Sequence, residues 1–491
     1  MEKLRLIKSN NSKPACRQGR IYEFKITRPL SEEEKQAVGI FNELKKAGFE
    51  SYFAGGAVRD ELMGIPASDI DIATKALPDE IKKIFPKVFE RGKQFGVMAL
   101  IIDGENEFEI ATFRSDIGIF DHRHPKEVKF TTAEEDAKRR DFTINALFYD
   151  PEREQIIDYV GGVEDLDKKQ LRFVGNPEDR INEDYLRMLR AVRFSARFNF
   201  PINKEGREAI KKNAAKIQKV SAERIKDELT KMLVDKNRVR AIELMDKLGL
   251  LELILGELSK LKKVSQPPEF HSEGDVWIHT MLALKFLPDN CSAEVAWAVL
   301  LHDIAKPQTQ GFREHPKSKI TFFDHDIESA KKTEEILKRL KFSNEFIEAV
   351  SWSIAQHMRI IHAFGDMSER KKEKLFLNPN IETLLEQTRV DLLASEKPDG
   401  STDLSMYEAA VKLKEHLAKM PPKEKEQVKK FDLITGHDIM KILKIPSGPK
   451  VGEIKTKIEE AFLEGKISGR DEALKMISAS AAPTRDGKEL K

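Results

Sequence analysis

Apolar residues recur at helical spacing through SEEEKQAVGIFNELKKAG, where Ser31 stands as the capping residue, acids fill the first turn and Gly48 closes the run. This pattern predicts a capped amphipathic helix beginning near Ser31. Short apolar runs follow (SYFAGG, DIDIAT, VMALII, EFEIATF), separated by turn residues and by one amphipathic segment, PDEIKKIF. Strands mixed with helices predict an α/β unit ending near Tyr149. From about Glu183 onward, apolar residues recur mostly at helical spacing, with breaks near Pro267 and Pro268, Lys397 to Gly400, and Pro421 and Pro422. The fold class expected is α+β: a mixed-sheet unit over 31–150, then all-helical units over 151–265, 266–400 and 401–478. Residues 1–30 read as a loosely organised extension, and 479–491, small and polar, as a disordered end.

Composition narrows this reading. With 491 residues and 40% hydrophobic content, the chain is too long for one core and implies several packed units. Charged residues make up 34% and aromatics 8%, a balance that fits a soluble, largely helical protein. No stretch approaches a membrane span, and the basic start MEKLRLIKSNNSKPACRQGR lacks the apolar centre of a signal peptide, so the cytoplasm is the expected compartment. Cys16 and Cys291, far apart and without a CxxC partner, predict neither disulfides nor a zinc motif. The formal charge of +2 is unevenly spread: residues 181–240 carry sixteen Lys/Arg against eight Asp/Glu. Such an excess suits a polyphosphate partner, and equally a solvated helical surface.

The densest chemical signal is SYFAGGAVRDELMGIPASDIDIAT. A strand runs into Gly55-Gly56, then a helix start, then a second strand. Glycines at a strand-to-helix turn let backbone N–H groups approach a phosphate, and the helix start adds partial positive charge. In DIDI, strand alternation puts Asp69 and Asp71 on one face and Ile70 and Ile72 on the other. Two carboxylates side by side repel unless a cation sits between them, and hard oxygen ligands select Mg²⁺ or Mn²⁺ over zinc. A DxD alone also fits the polar face of an edge strand; Gly55-Gly56 and Arg59-Asp60 upstream turn the reading toward a metal site. FEIATFR supplies a third acid, Glu109, set against apolar Phe108 and Ile110. Three acids of this kind suit a two-metal displacement at phosphorus.

GGAVRD followed by DID, FEIATFR, RRDFTINAL and EDYLRMLRAVRFSARF resembles the bacterial class II CCA-adding tRNA nucleotidyltransferases and poly(A) polymerases, from about residue 50 to 240 and in family order. The resemblance implies a polymerase-β-like head, then helical neck, body and tail. It also implies that Gly55, Gly56 and Arg59 hold the triphosphate and that Asp69 and Asp71 are the Mg²⁺ ligands, with Glu109 as third acid. Arg140, Asp141 and Asn145 would position the sugar and phosphates, and Arg114 with the loop RSDIGIFDHRHPKEV would form the flexible loop used in switching from C to A addition.

In EDYLRMLR, Asp184 and Arg187 are three apart, which on a helix makes them neighbours. A carboxylate beside a guanidinium can imitate a base edge and accept C or A but not G or U. Alone, such a pair is ordinarily a surface salt bridge; the family context favours base reading. Arg190, Arg193 and Arg197 extend the same segment, toward triphosphate or RNA backbone or simply as a solvated face.

Residues 271–391 hold a second constellation: His279, His302-Asp303 in LLHDIAKP, His325, His357 and Asp391. These resemble the HD-domain phosphohydrolase pattern, in which imidazoles and carboxylates from different helices hold a divalent metal that activates water; Lys306 fits as a phosphate partner. Together the resemblances imply CCA addition to tRNA from CTP and ATP. A poly(A) polymerase, an enzyme adding only the terminal A, and an HD phosphohydrolase are the alternatives.

Overall fold

The computed structural model describes residues 19–479 except 68, 93–95, 105, 120, 121, 123, 124, 313–319, 420–433, 447, 464, 465 and 468. The ends, 1–18 and 480–491, for which a loose extension and a disordered tail were expected, lie outside the described residues.

The first unit is built on ten strands. They are β1 (Arg20–Glu23), β2 (Ser51–Ala54), β3 (Asp71–Thr74), β4 (Val88–Gly92), β5 (Val97–Ile102), β6 (Asn106–Thr112), β7 (Arg114–Ile119), β8 (Pro125–Phe130), β9 (Leu147–Asp150) and β10 (Gln155–Asp158). Eight form one sheet in the order β1-β10-β9-β2-β3-β6-β5-β4, and β7 and β8 form a separate hairpin. Only the β3–β6 pairing is parallel within the large sheet. Helices α1 (Glu32–Lys46), α2 (Gly56–Leu62), α3 (Pro78–Ile84), α4 (Ala133–Arg139) and α5 (Gly162–Asp167) complete it. The cap of α1 is reciprocal: Ser31 Oγ accepts from the Glu34 N–H at 3.1 Å, and the Glu34 carboxylate accepts from the Ser31 N–H at 2.8 Å. Ala37, Ile40, Phe41 and Leu44 of α1 are buried in the same core as Phe53 and Ile72 of the sheet.

Two boundaries differ from the sequence expectation. Residues 20–23, expected in a loose extension, form the edge strand β1 by pairing with β10, and the sheet runs on to Asp158 rather than ending near Tyr149. The cause is non-local: β1 owes its ladder to a partner more than 130 residues away in sequence, and four residues leave little periodicity of their own.

Beyond the sheet come α6 (Pro177–Glu183), α7 (Arg187–Phe198), α8 (Lys204–Asn213), α9 (Ala222–Leu233), α10 (Arg238–Lys247) and α11 (Leu251–Ser259). Next are α12 (Val276–Lys285), α13 (Ala293–Leu301), α14 (Lys306–Thr309), α15 (His325–Arg339), α16 (Asn344–Met358), α17 (Glu369–Phe376), α18 (Ile381–Ala394) and α19 (Ser405–Ala418). The last three are α20 (Gly436–Leu443), α21 (Pro449–Leu463) and α22 (Arg470–Ala479). A short hairpin, β11 (Gln310–Phe312) with β12 (Ile320–Phe322), interrupts the expected all-helical run. One apolar core runs from the sheet into these helices as far as Ala394, while residues 434–477 build a small core of their own around Ile439, Ile458 and Ile477. Arg238 is buried and, among the described residues, has no acid paired with it: its guanidinium donates to the carbonyls of Leu233 (2.7 Å), Leu287 (2.9 Å) and Pro288 (3.0 Å), which ties α10 to the chain leaving α12. Orphan carbonyls at a helix end suit such a cation. Among the described residues, no helix is long and apolar enough to cross a membrane.

Candidate active site and a buried histidine centre

The first crevice forms where β2 turns into α2 against the start of β3. Gly55 makes that turn with φ 73° and ψ −125°, a conformation open to glycine. A Cβ there would stand 2.9 Å from Arg140 Nη1 and 4.0 Å from Asp71 Oδ2, so the absent side chain is what lets backbone, guanidinium and carboxylate converge. Asp71 is the first residue of β3, and Asp69 lies in the bend before it rather than on the strand. Alternation nevertheless holds through the bend: Asp69 and Asp71 are exposed, Ile70 and Ile72 buried. The parallel register pairs Ile72 with Ile110, which brings Glu109 alongside Asp71. The Asp71 carboxyl is pushed up to about 6 by the protein crowding around it, then by the Glu109 and Asp69 carboxylates, against the pull of Arg140. Its outer side stays open to solvent, so the crowding is that of a crevice mouth. Glu109 accepts from Arg91 at 3.2 Å.

The remaining residues named from the sequence form a bonded frame around this mouth. Arg140 donates to Asp136 Oδ2 through Nε (3.2 Å) and Nη2 (3.1 Å), and to the Asn145 carbonyl (3.1 Å). Asp141 accepts from Asn145 Nδ2 (3.1 Å) and from Arg190 Nε (2.8 Å), and its carboxyl is held below the usual range: burial would raise it, and Arg190, Asn145 and Arg187 together outweigh that. Arg59 does not project into open space. It is buried, donates to Asn145 Oδ1 (2.5 Å) and Asp60 (2.8 Å), and lies over the rings of Phe194 and Phe198. Arg114 gives its backbone N–H to Asp136 (3.3 Å), and its Nε is 3.4 Å from Asp116.

Asp184 and Arg187 require a correction. They do not share a helical face: Asp184 ends α6 with φ −149°, Arg187 opens α7, and their side chains go to different partners. Arg224 of α9 grips both oxygens of Asp184 (3.0 and 2.7 Å), while Arg187 donates to Glu183 (2.5 Å) and to the carbonyls of Arg180 and Arg139. The break arises because Asp184 turns the chain, and its Oδ1 accepts the Leu186 N–H at 3.0 Å. The basic excess over 181–240 is also partnered where it meets the crevice. Arg190 pairs with Asp141, Arg193 with Glu228 (2.6 Å) and Arg197 with Asp60 (3.6 Å). Between β7 and β8, His122 donates from Nδ1 to the Asn182 carbonyl (2.6 Å), accepts from the Tyr185 hydroxyl at Nε2 (2.9 Å) and stacks on that ring, the residue next to Asp184; residues 120, 121, 123 and 124 of the expected flexible loop lie outside the described residues.

The second constellation also converges. His279, His302 and Asp391 offer ligand atoms within 4.8 Å of one another, as do Asp303, His325 and His357. All six are buried. Each histidine is oriented through Nδ1: His302 toward Val299 O (2.8 Å), His325 toward Phe322 O (2.8 Å), His357 toward Ile354 O (2.6 Å) and His279 toward Glu273 (2.8 Å). For His302, His325 and His357 this leaves Nε2 as an acceptor, whereas His279 donates from both ring nitrogens, to Glu273 and to Asp391 Oδ1 (3.0 Å). His302 Nε2, His325 Nε2 and Asp303 Oδ1 find no hydrogen-bond partner among the described residues. Burial pushes the His325 imidazole down to about 4, whereas His279 rises to about 9 because hydrogen bonds to Asp391 and Glu273 outweigh its burial. Lys306 Nζ lies 2.7 Å from Asp303 and 2.8 Å from Gln266.

Four residues outside the sequence reading hold these sites in shape: Asp136, Arg224, Glu228 and Glu273. Asp136 precedes Arg139 and Arg140 by three and four residues, a helical spacing that could have flagged it. Glu273 sits in a loop and carries no such signal.

The sheet with its acid-bearing strands defines a polymerase-β-like nucleotidyltransferase head, and the "Poly A polymerase head domain" family matches residues 51–172. "Probable RNA and SrmB- binding site of polymerase A" matches 199–261, and the tRNA nucleotidyltransferase domain 2 family matches 314–477. The chain is 33% identical over 450 residues to the CCA-adding enzyme of Ligilactobacillus salivarius, covering 91% of this chain and 97% of that one. Its fold resembles the Bacillus stearothermophilus CCA-adding enzyme in complex with CTP (TM-score 0.59, 28% identity, 92% and 98% of the chains). It also resembles the Thermotoga maritima CCA-adding enzyme complexed with tRNA (TM-score 0.51, 21% identity, 93% and 97%), a likeness of fold. The chain belongs to the family of CCA-adding enzymes, the tRNA nucleotidyltransferases.

Proposed function

We propose that this enzyme adds C and A residues to the 3′ end of tRNA, taking CTP and ATP as substrates. The observation that carries the proposal is the parallel β3–β6 register that sets Glu109 beside Asp71 at the glycine turn. Relatives that match over nearly the whole chain support CCA addition over poly(A) synthesis.

The head residues fit a divalent cation. Three hard carboxylates share one crevice mouth, and the Asp71 carboxyl, raised first by burial, is raised further by the Glu109 and Asp69 carboxylates, a repulsion that a cation relieves. Asp69 and Asp71 would hold Mg²⁺, with Glu109 beside them. Bound there, Mg²⁺ would supply Lewis acidity of the two-metal kind, lowering the pKa of the RNA 3′-hydroxyl and offsetting charge on the leaving pyrophosphate. Gly55, Gly56 and Arg140 would receive the triphosphate. Asn145 and Asp141 orient the frame, and Arg59, buried beneath α7, braces head against neck. Asp184 and Arg187 would read the base once a nucleotide draws them from Arg224 and Glu183. The test is direct: purified protein with Mg²⁺ and tRNA lacking its CCA end incorporates C, then A, and stops. Incorporation of A alone in long runs, or of nothing, overturns the proposal. Asp71→Ala should lower the rate about a thousandfold or more, since several kcal/mol of transition-state stabilisation are removed.

The buried histidine centre supports a second activity. Its orphaned Nε2 and carboxylate atoms fit an HD-type divalent metal site, with Lys306 beside Asp303 to receive a phosphate. When bound, such a metal lowers the pKa of a water for attack on a phosphoester. Metal-dependent hydrolysis of 2′,3′-cyclic phosphates should be present in the wild type and lost in His302→Ala and Asp303→Ala with nucleotide addition intact; hydrolysis that survives either substitution overturns this reading.

A further inference from the structure

Four histidines line the buried centre, and only one is backed by a carboxylate. His302, His325 and His357 each give Nδ1–H to a main-chain carbonyl three residues earlier. His279 gives it to Glu273, whose side chain is buried and which comes from the loop before α12. Glu273 is itself anchored: Oε1 also accepts from His271 Nδ1 (2.8 Å), and Oε2 accepts the Glu396 N–H (3.1 Å) just beyond α18. That helix carries Asp391, whose Oδ1 faces His279 Nε2 at 3.0 Å. One side chain therefore orients His279 and joins it to the segment that presents Asp391.

Asp303 stands between two groups of ligand atoms. Its Oδ2 lies 3.1 Å from His302 Nε2 and 3.9 Å from His279 Nε2, and its Oδ1 lies 3.5 Å from His325 Nε2. One oxygen faces the His279–His302–Asp391 group and the other faces His325 and His357. A carboxylate behind a ligating imidazole makes it a stronger donor and fixes its ring, while a backbone carbonyl is the weaker acceptor for the same N–H.

We propose that the centre has two unequal cation positions, and that Glu273 is the positioning residue that makes the one at His279, His302, Asp303 and Asp391 the tighter. The proposal rests on reading the buried centre as a metal site. Removing an outer partner of this kind lowers metal affinity about 10- to 100-fold.

The test is a Co²⁺ titration of the full chain carrying Asp69→Ala and Asp71→Ala, which removes both proposed metal ligands of the head, followed by visible absorption and equilibrium dialysis. Two Co²⁺ with separated affinities are expected. Adding Glu273→Gln should weaken the tighter one about 10- to 100-fold and shift its absorption bands, leaving the other unchanged. His325→Ala should remove the weaker one alone, which keeps the proposal testable should Glu273→Gln fail to fold. Equal affinities, unchanged binding in Glu273→Gln, or loss of the tighter site in His325→Ala overturns the inequality. Absence of any Co²⁺ at the centre in the parent protein overturns the metal reading beneath it.

Discussion

Arg224 holds both carboxylate oxygens of Asp184, at 3.0 and 2.7 Å, across the junction of α6, α7 and α9. A carboxylate proposed to accept from the amino group of C or A thus begins in a bidentate ion pair. Arg224 fixes its rotamer and competes for the same lone pairs. Arg224→Ala should loosen selection more than it slows the reaction. A bidentate base contact is worth about 1–3 kcal/mol of discrimination, so the ratio of CTP to UTP incorporation is expected to fall about 10- to 100-fold. Competition assays with both nucleotides measure this directly. An unchanged ratio would mean that Arg224 does not set the position from which Asp184 reads.

Asp136 gives one oxygen to Arg140 and the other to Arg139 (2.8 Å) and the Arg114 N–H (3.3 Å). Burial alone would raise this carboxyl, and Arg139 followed by Arg140 brings it below its ordinary value. With the folded value depressed, the contribution to stability is present above the unfolded value and lost as pH falls through the folded one. Asp136→Asn leaves two guanidinium groups short of a counter-charge and should destabilise the protein by about 3–5 kcal/mol. It should also raise the KM for CTP, because Arg140 stands against the glycine turn. Denaturant unfolding alongside steady-state kinetics reads both; a normal KM in a folded variant would remove Asp136 from the frame of the site.

How far the chain could be read ahead of its structure depended on whether a feature was local. The capped helix after Ser31 and the facing of Asp69, Asp71 and Glu109 follow from spacing within a few residues, and both appear. The histidines share one centre because their motif preserves chain order even though helices separate them. Long-range pairing was illegible: β1 needs β10, and Asp184 needs Arg224 forty residues on. The reading of Asp184 and Arg187 as helical neighbours failed because a helix break, invisible in the apolar pattern, falls between them. The basic run between 181 and 240 gave no hint that Asp141 and Glu228 would meet its arginines.

Gly55 carries a prediction of its own. Its φ of 73° with ψ −125° is strained for any L side chain, and a Cβ would press on Arg140 Nη1 at 2.9 Å. Gly55→Ala should cost about 1–3 kcal/mol of stability and displace the guanidinium. The KM for both CTP and ATP should rise together, since the turn faces the phosphates and not the base. Gly64, also at positive φ and with open space around it, supplies the control: Gly64→Ala should lose stability with no change in either KM.

The raised Asp71 carboxyl fixes the direction of a pH effect. With its value near 6, the group is protonated in mild acid, where a free aspartate would already be charged. A proton and a divalent cation compete for the same oxygen, so at limiting Mg²⁺ nucleotide addition should fall as pH drops through about 6. Raising Mg²⁺ should move that midpoint to lower pH. For the metal-free protein the sign reverses. A carboxyl raised on folding contributes stability below its unfolded value, and that contribution disappears as pH climbs through the folded one, so melting temperature should decline between about pH 4 and 6. Mg²⁺ should return the lost stability at neutral pH, where binding to the folded state alone adds RT ln(1 + [Mg²⁺]/Kd). Asp71→Asn should flatten the decline and abolish the Mg²⁺ gain in the head. A rate profile whose acid limb ignores Mg²⁺ concentration would show that the titrating group is not one that Mg²⁺ displaces.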